Sequence, residues 1–315
     1  MNLGKIQYSI NMNLKQKIIQ YAKTLGFNDV KIAKSQILTD EVNRYKQWIA
    51  SGFNADMHWM ERNIDKRADI RLILPEAKSI IVTSFSYFTN YYYPVNLDGL
   101  GKISRYAWGD DYHEIILYKL KQIEDFIRLY NENSLLKSYV DTGPILERQW
   151  AIKSGLGWQG KNGMIINPKY GSYFFIGIII TNLDLEPDTP IKDMCGSCYK
   201  CMEACPTNAI VHQKVVDSSK CLSYWTIESK EDNLPDDIKN NQNNWVFGCD
   251  ICQEVCPWNR FAKLTSELNF SPRNGETTLS KDFVNYLSEE EFYKRFRKSL
   301  IKRAKLKGLK RNFQL

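Results

Sequence analysis

Apolar positions along the first 185 residues switch between two periods. Leu14, Ile18, Tyr21, Ala22 and Leu25 recur at helical spacing and Gly26 follows as a stop, which predicts an opening amphipathic helix. Residues 29–34 (DVKIAK) then read as a strand. Residues 78–87 (KSIIVTSFSY) read as a buried strand, 113–130 as a long helix, 138–141 (SYVD) as a short strand and 173–183 as another apolar strand. Strands alternating with helices predict an α/β or α+β domain. Near the other end, Ser288 and Glu291 make a capping box with Leu287 and Phe292 placed as a hydrophobic staple, so a helix carrying Phe296 and Leu300 on one face is expected there.

The composition changes at Glu186-Pro187-Asp188-Thr189-Pro190, and all eight cysteines lie beyond it, between 195 and 256. Three parts are expected: an α/β domain for cofactor and substrate over 1–185, a small cysteine module over 186–265, and a basic helical segment over 266–315. The longest apolar run, 173–180, is far short of the roughly 20 residues of a membrane span, so no membrane partner is expected. The opening MNLGKIQYSINMNLKQK has neither the apolar core of a secretory signal nor the look of a transit peptide. The expected compartment is the cytoplasm, where thiols stay reduced and free to bind metal. Of 43 Lys and Arg, ten fall between Phe292 and Leu315 with no acid among them, leaving 33 bases against 36 acids elsewhere. Positive charge so concentrated suggests an anionic partner such as a polyphosphate chain, against the plainer reading of a solvated helix face.

The cysteines carry the most specific signal. Cys195, Cys198, Cys201 and Cys205 followed by Pro206 form the bacterial ferredoxin run, in which three thiolates hold one four-iron, four-sulfur cluster and the fourth holds another. A second array, Cys249, Cys252 and Cys256 before Pro257, ends the same way but has Val246 where its first cysteine belongs. Cys221 is the one cysteine left. The crossover rule then assigns Cys195, Cys198, Cys201 and Cys256 to one cluster and Cys205, Cys221, Cys249 and Cys252 to the other. Zinc sites and disulfide frameworks are the alternatives, though neither requires three cysteines at double x2 spacing followed by Cys-Pro. Such clusters move single electrons and offer no group to attack a substrate, so the chemistry falls to the preceding 190 or so residues.

RYAWGDDYH (105–113), VDTGPILER (140–148), GLGWQGKN (155–162) and the two cysteine arrays together resemble the epoxyqueuosine reductase family over nearly the whole chain. The resemblance implies a cobalamin-binding domain coupled to the two clusters. It also implies reduction of epoxyqueuosine to queuosine at the wobble position of tRNA, the last step of queuosine biosynthesis. Asp141 stands where the family has its proton donor. An acid there would protonate the oxygen released on opening an epoxide, and burial beside a corrin would raise its pKa for the task. Cobalamin contacts implied by the same resemblance are Arg67, Ser104, Asp141, Ile165, Ile176, Ser223, Cys249 and Asp250, and Arg148 is the implied tRNA contact. None of His58, His113 and His212 sits in an Asp-x-His-x-x-Gly setting, consistent with a cobalt lacking a histidine ligand. The basic tail would add phosphate contacts that set affinity without reading sequence. An external electron donor and a monomeric protein are the remaining expectations.

Two other functions compete. A reductive dehalogenase-like cobalamin enzyme shares the pairing of corrin with two clusters but predicts an exported protein with a twin-arginine signal. A non-catalytic iron–sulfur electron-transfer or RNA-binding protein would leave the Asp-Thr-Gly and Gly-Leu-Gly-Trp segments without a role.

Overall fold

A computed structural model describes residues 12–314; the part of the N-terminal reading that concerns residues 1–11 lies outside the described residues. Two eight-residue strands, Ser79–Ser86 and Phe174–Thr181, pair at the centre of a four-stranded antiparallel sheet flanked by Asp29–Lys34 and Leu136–Tyr139. Every residue of Ser79–Ser86 is buried, as a strand covered on both faces requires. Alternate side chains part to the two faces. Ile81, Phe85, Phe175 and Ile179 pack with Ile18 of helix Leu14–Thr24 and with Ile116, Leu120 and Ile123 of helix Tyr112–Arg128. Ile80, Val82, Ile178 and Ile180 pack with Val42, Trp150 and Ala151 on the other side. The antiparallel pairing selects α+β from the two architectures the sequence allows.

The elements predicted over 1–185 have bounds within two residues of the observed ones, but the C-terminal helix expected to carry both Phe296 and Leu300 ends at Phe296, and Leu300 opens a separate 3-10 turn, Leu300–Ala304. The stretch read as 138–141 is shifted by two residues. That strand occupies Leu136–Tyr139, and Asp141 lies past its end in a left-handed turn with φ 56°. The glycine expected to stop the first helix does so at φ 97°, one residue after the C-cap Leu25.

A second sheet holds the cysteine-bearing segment to the chain on either side of it. Leu100–Ile103 pairs in parallel with Trp245–Phe247 and antiparallel with Thr278–Ser280. Val246 sits in this sheet, 2% exposed in the same core cluster as Ile103 and Leu279. Position 246 is therefore a core strand position, which accounts for the missing cysteine of the second array.

The C-terminal segment belongs to the main core. Ser288 caps helix Glu289–Phe296 with the reciprocal Glu291 bond the sequence predicts. Phe292, Phe296, Leu300, Ile301, Leu306, Leu309 and Phe313 all join the cluster that contains Ile18. Five of the ten tail cations are engaged internally. Arg295 pairs with Glu276, Lys302 with Asp111, Arg303 with Glu228 and Lys307 with Asp232, while Arg311 turns inward to the carbonyls of Trp225, Ser229 and Glu231. The charge run thus overstates the free positive surface. No helix among the described residues is long and apolar enough to cross a membrane.

Because Phe292 is fully buried in this shared cluster, Phe292→Ala should cost about 3–5 kcal/mol of stability. Chemical denaturation of the two proteins measures it, and a loss under about 1 kcal/mol would mean that the tail packs independently of the core.

Candidate active site and cysteine cavity

Two one-turn helices, Lys200–Glu203 and Ile251–Glu254, bring the two cysteine arrays side by side, each carrying one cysteine at its second position. Cys195, Cys198, Cys201 and Cys256 line one cavity together with Lys161, Lys200, Pro257 and Trp258. Cys205, Cys221, Cys249 and Cys252 form the other group. Burial pushes the thiols of Cys221, Cys249 and Cys252 up, and their mutual charge repulsion adds to it. All eight cysteines are free of disulfides. Two sulfurs accept N–H groups, Cys195 from the Trp158 indole at 3.4 Å and Cys205 from the Ala209 backbone at 3.3 Å.

Beside the second group lies Asp250, fully buried. Its carboxylate accepts from the Ser104 hydroxyl, from the Arg105 backbone N–H at 2.7 Å and from Tyr93 at 3.4 Å. Burial pushes it up to about 6, while the Arg105 and Ser104 donors act against the rise. Ser104 and Asp250, implied as separate contacts by the family resemblance, are thus bonded to each other next to Cys249. Ser223 is half-buried in helix Leu222–Ile227, adjacent to Cys221.

Asp141 stands at the end of the central sheet with its side chain 65% exposed. Tyr112 donates to its Oδ2 at 2.8 Å, and His113 Nε2 lies 3.8 Å from the same oxygen. Tyr112 is itself fixed by stacking on Phe175, 3.9 Å between ring centroids. Behind His113, Asp111 approaches Nδ1 at 2.7 Å and also takes Lys302 at 2.8 Å. Desolvation alone would lower the His113 imidazolium, but Asp111 and Asp141 outweigh it and raise the ring to about 9. Desolvation would raise Asp141, yet the His113 and Tyr112 bonds hold it below the usual carboxylate range. The raised carboxyl is its neighbour. Glu147, enclosed and facing the Asp141 charge, is pushed up to about 8.

The remaining implied residues are more dispersed. Ile165 is buried in a two-residue hairpin strand and Ile176 half-buried on the central strand, both against the same core cluster. Arg67, on helix Ile64–Ala68, places its guanidinium 5.6 Å from the Tyr45 ring. Among the described residues it makes no hydrogen bond or ion pair to the other site residues. Arg148 is exposed and reaches the Gly163 carbonyl at 3.4 Å. The glycines of GLGWQGKN serve internal packing: a Cβ at Gly157 would meet the Ile166 carbonyl at 2.5 Å. Sequence reasoning missed Tyr112, Asp111, Glu147 and Lys302, and it weighed His113 only as a cobalt ligand. The first two and His113 lie within the RYAWGDDYH motif and Glu147 within VDTGPILER, but Lys302 carries no local signal.

Residues 194–259 match a family model described as a 4Fe-4S double cluster binding domain, and residues 67–142 one described as epoxyqueuosine reductase QueG. The epoxyqueuosine reductase of Cellulophaga algicola is 43% identical over 305 residues, covering 96% of this chain and 98% of that protein. The Escherichia coli epoxyqueuosine reductase is 37% identical, over 92% of this chain and 77% of that protein. A crystal structure of epoxyqueuosine reductase with an epoxyqueuosine-modified tRNA-Tyr stem loop superposes with a TM-score of 0.89 at 33% identity, covering 95% of this chain and 80% of that one. The Bacillus subtilis epoxyqueuosine reductase, with its catalytic loop swung out of the active site, matches at TM-score 0.87 and 31% identity, over 95% and 80%. With a double-cluster domain, the QueG domain and near-full-length identity to several members, the chain belongs to the epoxyqueuosine reductase family.

Proposed function

We propose that this protein reduces epoxyqueuosine to queuosine in the anticodon loop of tRNA, in the cytoplasm, with two four-iron clusters and cobalamin as its cofactors. The observation that carries the reading is the placement of Asp141, held by Tyr112 and His113 at the sheet end, in a chain 43% identical to an epoxyqueuosine reductase.

The residues present fit these cofactors. Four free thiols around one cavity and four more in a buried group, with N–H donors on two sulfurs, suit cluster ligation by Cys195, Cys198, Cys201 and Cys256 and by Cys205, Cys221, Cys249 and Cys252. Half-exposed apolar side chains, Ile64, Tyr139, Leu146 and Ile176, rim the core on the side of the sheet that carries helix Glu147–Lys153. They offer a corrin the apolar cover it needs, with Asp141, Ser104, Asp250, Arg67, Ile165, Ser223 and Cys249 as its other proposed contacts. When bound, the clusters supply single electrons and the corrin a reducible cobalt.

Removing the epoxide oxygen consumes two electrons and two protons and releases water. Asp141, recharged from the His113 imidazolium, passes a proton to the oxygen as its bond to carbon breaks, so that negative charge does not build on it. His113 and Tyr112 hold the carboxyl in place and keep protons within reach. Arg148 and the tail cations that lack an internal acid partner bind the phosphates and draw the polyanion onto this face.

The assay is reduction of epoxyqueuosine in tRNA by anaerobically reconstituted protein, with and without cobalamin. Product should require cobalamin, and Asp141→Asn should lower kcat by about 10²–10⁴ with both clusters retained. Absence of product from fully loaded enzyme would overturn the assignment. Cys221→Ser should reduce iron from about eight to about four atoms per chain, because it removes a ligand from one cluster only; unchanged iron would exclude the ligand set. Arg148→Ala should weaken tRNA binding and reduce the slope of log K against log salt by about 1, as loss of a single phosphate contact does. An unchanged slope would move the contact elsewhere.

A further inference from the structure

The loop that presents Asp141 is closed by one side chain. It leaves the sheet at Tyr139, anchors Val140 and Ile145 in the core, and enters helix Glu147–Lys153. Between the anchors Asp141 and Thr142 are exposed. Asp141 adopts a left-handed conformation, φ 56°, which is costly for a residue with a Cβ and persists only when its surroundings fix it. Among the described residues its polar ties are few: Tyr112 and His113 on the carboxylate, and Glu147 Oε1 accepting the Asp141 backbone N–H at 2.6 Å. The first two hold the side chain. Among the described residues, Glu147 makes the polar tie to the backbone, spanning the six positions from Asp141 to the helix start.

We propose that Glu147 is a positioning residue that latches the Asp141 loop over the active site, and that the latch holds while Glu147 is uncharged. The proposal rests on the assignment of Asp141 as the acid. Two carboxylates so close repel each other when both are ionised, whereas a neutral carboxyl accepts the N–H through its carbonyl oxygen without that repulsion. The groups facing Glu147 are Asp141, His113 and Arg148; Tyr112 bears on Asp141, and Asp111 and Lys302 bear on His113. Arg148, His113 and the Asp141 N–H favour the charged form of Glu147, and the Asp141 carboxylate disfavours it. Enclosure and the Asp141 charge prevail, leaving Glu147 protonated below about pH 8. The latch therefore opens as the solution becomes alkaline.

Two variants separate latch from proton source. Glu147→Gln keeps a neutral acceptor at the same place, and Glu147→Ala removes it. Hydrogen exchange of the Asp141 amide, measured on cluster-loaded protein without substrate and divided by the intrinsic rate, reads the latch directly. In the parent protein protection should fall as pH rises through about 8. It should persist across that range in Glu147→Gln and be lost at every pH in Glu147→Ala. In turnover, Glu147→Ala should lose about ten-fold or more in kcat from misplacement of the acid. Glu147→Gln should stay within about two-fold at pH 7, with its alkaline limb moved up towards the His113 value near 9. A Glu147→Gln enzyme as inactive as Glu147→Ala, or an Asp141 amide equally protected in all three proteins, would overturn the proposal. Because the exchange arm needs neither tRNA nor turnover, failure of the substrate assignment would leave it readable.

Discussion

A carboxylate taken out of water must be met by donors, and the one on Asp250 fixes how the two halves of the site sit together. Leaving such a group unpaired would cost several kcal/mol, so the backbone around it is constrained to supply partners. They come from the other half of the chain: the Ser104 hydroxyl and Arg105 N–H follow the strand Leu100–Ile103, and Tyr93 reaches in from the loop before it. Asp250 itself separates Cys249 from the helix that carries Cys252. The parallel pairing of Leu100–Ile103 with Trp245–Phe247 brings Phe247 and Ser104 into register, and Ser104 N–H bonds the Phe247 carbonyl at 2.8 Å. Satisfying one buried charge thereby sets the cysteine array against the preceding part of the chain. A flexible linker between them could not hold this bonding.

At the other edge of the site, charges alternate along a chain of contacts: Lys302, Asp111, His113, Asp141. Each carboxylate has a cation on one side at least, so Asp111 and Asp141 both stay ionised despite partial enclosure. The protons reside on their neighbours, His113 and Glu147. For the acid role proposed for Asp141, this arrangement means that the carboxylate is recharged from His113, which faces it, rather than by its own elevated pKa, while the proton on Glu147 serves the backbone contact. Of the two adjacent carboxyls, Asp141, which has the hydrogen-bond donors, keeps the charge, and Glu147 is the one pushed up.

Much of the fold was legible in local patterns because its causes are local. The continuous apolar runs at 79–86 and 174–181 follow from coverage on both faces, and the Ser288 capping box from the need to satisfy the first N–H groups of a helix. The double-x2 cysteine spacing was legible because consecutive ligands must come from one tight turn. What escaped was set by tertiary contact. Val246 breaks the second cysteine array because a sheet formed with the strand at Leu100–Ile103 claims it for the core. Glu147 carries no signal of its own, since acids are common at a helix start, where the dipole favours their charge, and its contact with Asp141 arises only from the folded loop. Lys302 looked like one more tail cation, and only the packing of Leu300 and Ile301 turns it towards Asp111.

That last contact decides how far the basic tail governs the chemistry. Lys302 is partly exposed, and a pair of that kind contributes well under about 1 kcal/mol in salt. The bond between Asp111 and His113 is shorter and more enclosed, and charge-assisted bonds of that kind are worth about 1.5–3 kcal/mol. An anionic ligand that drew Lys302 away would therefore leave Asp111 ionised and His113 oriented. The effect would be to strip one positive charge from behind the ring without moving it. Arg303, by contrast, is clamped by Glu228 through two bonds of 2.5 and 2.7 Å and stacks towards Trp59. Its guanidinium is held in place by that pair. The tail thus acts on the site through its fixed field more than through movement, and its packing into the common core is what holds that field in place.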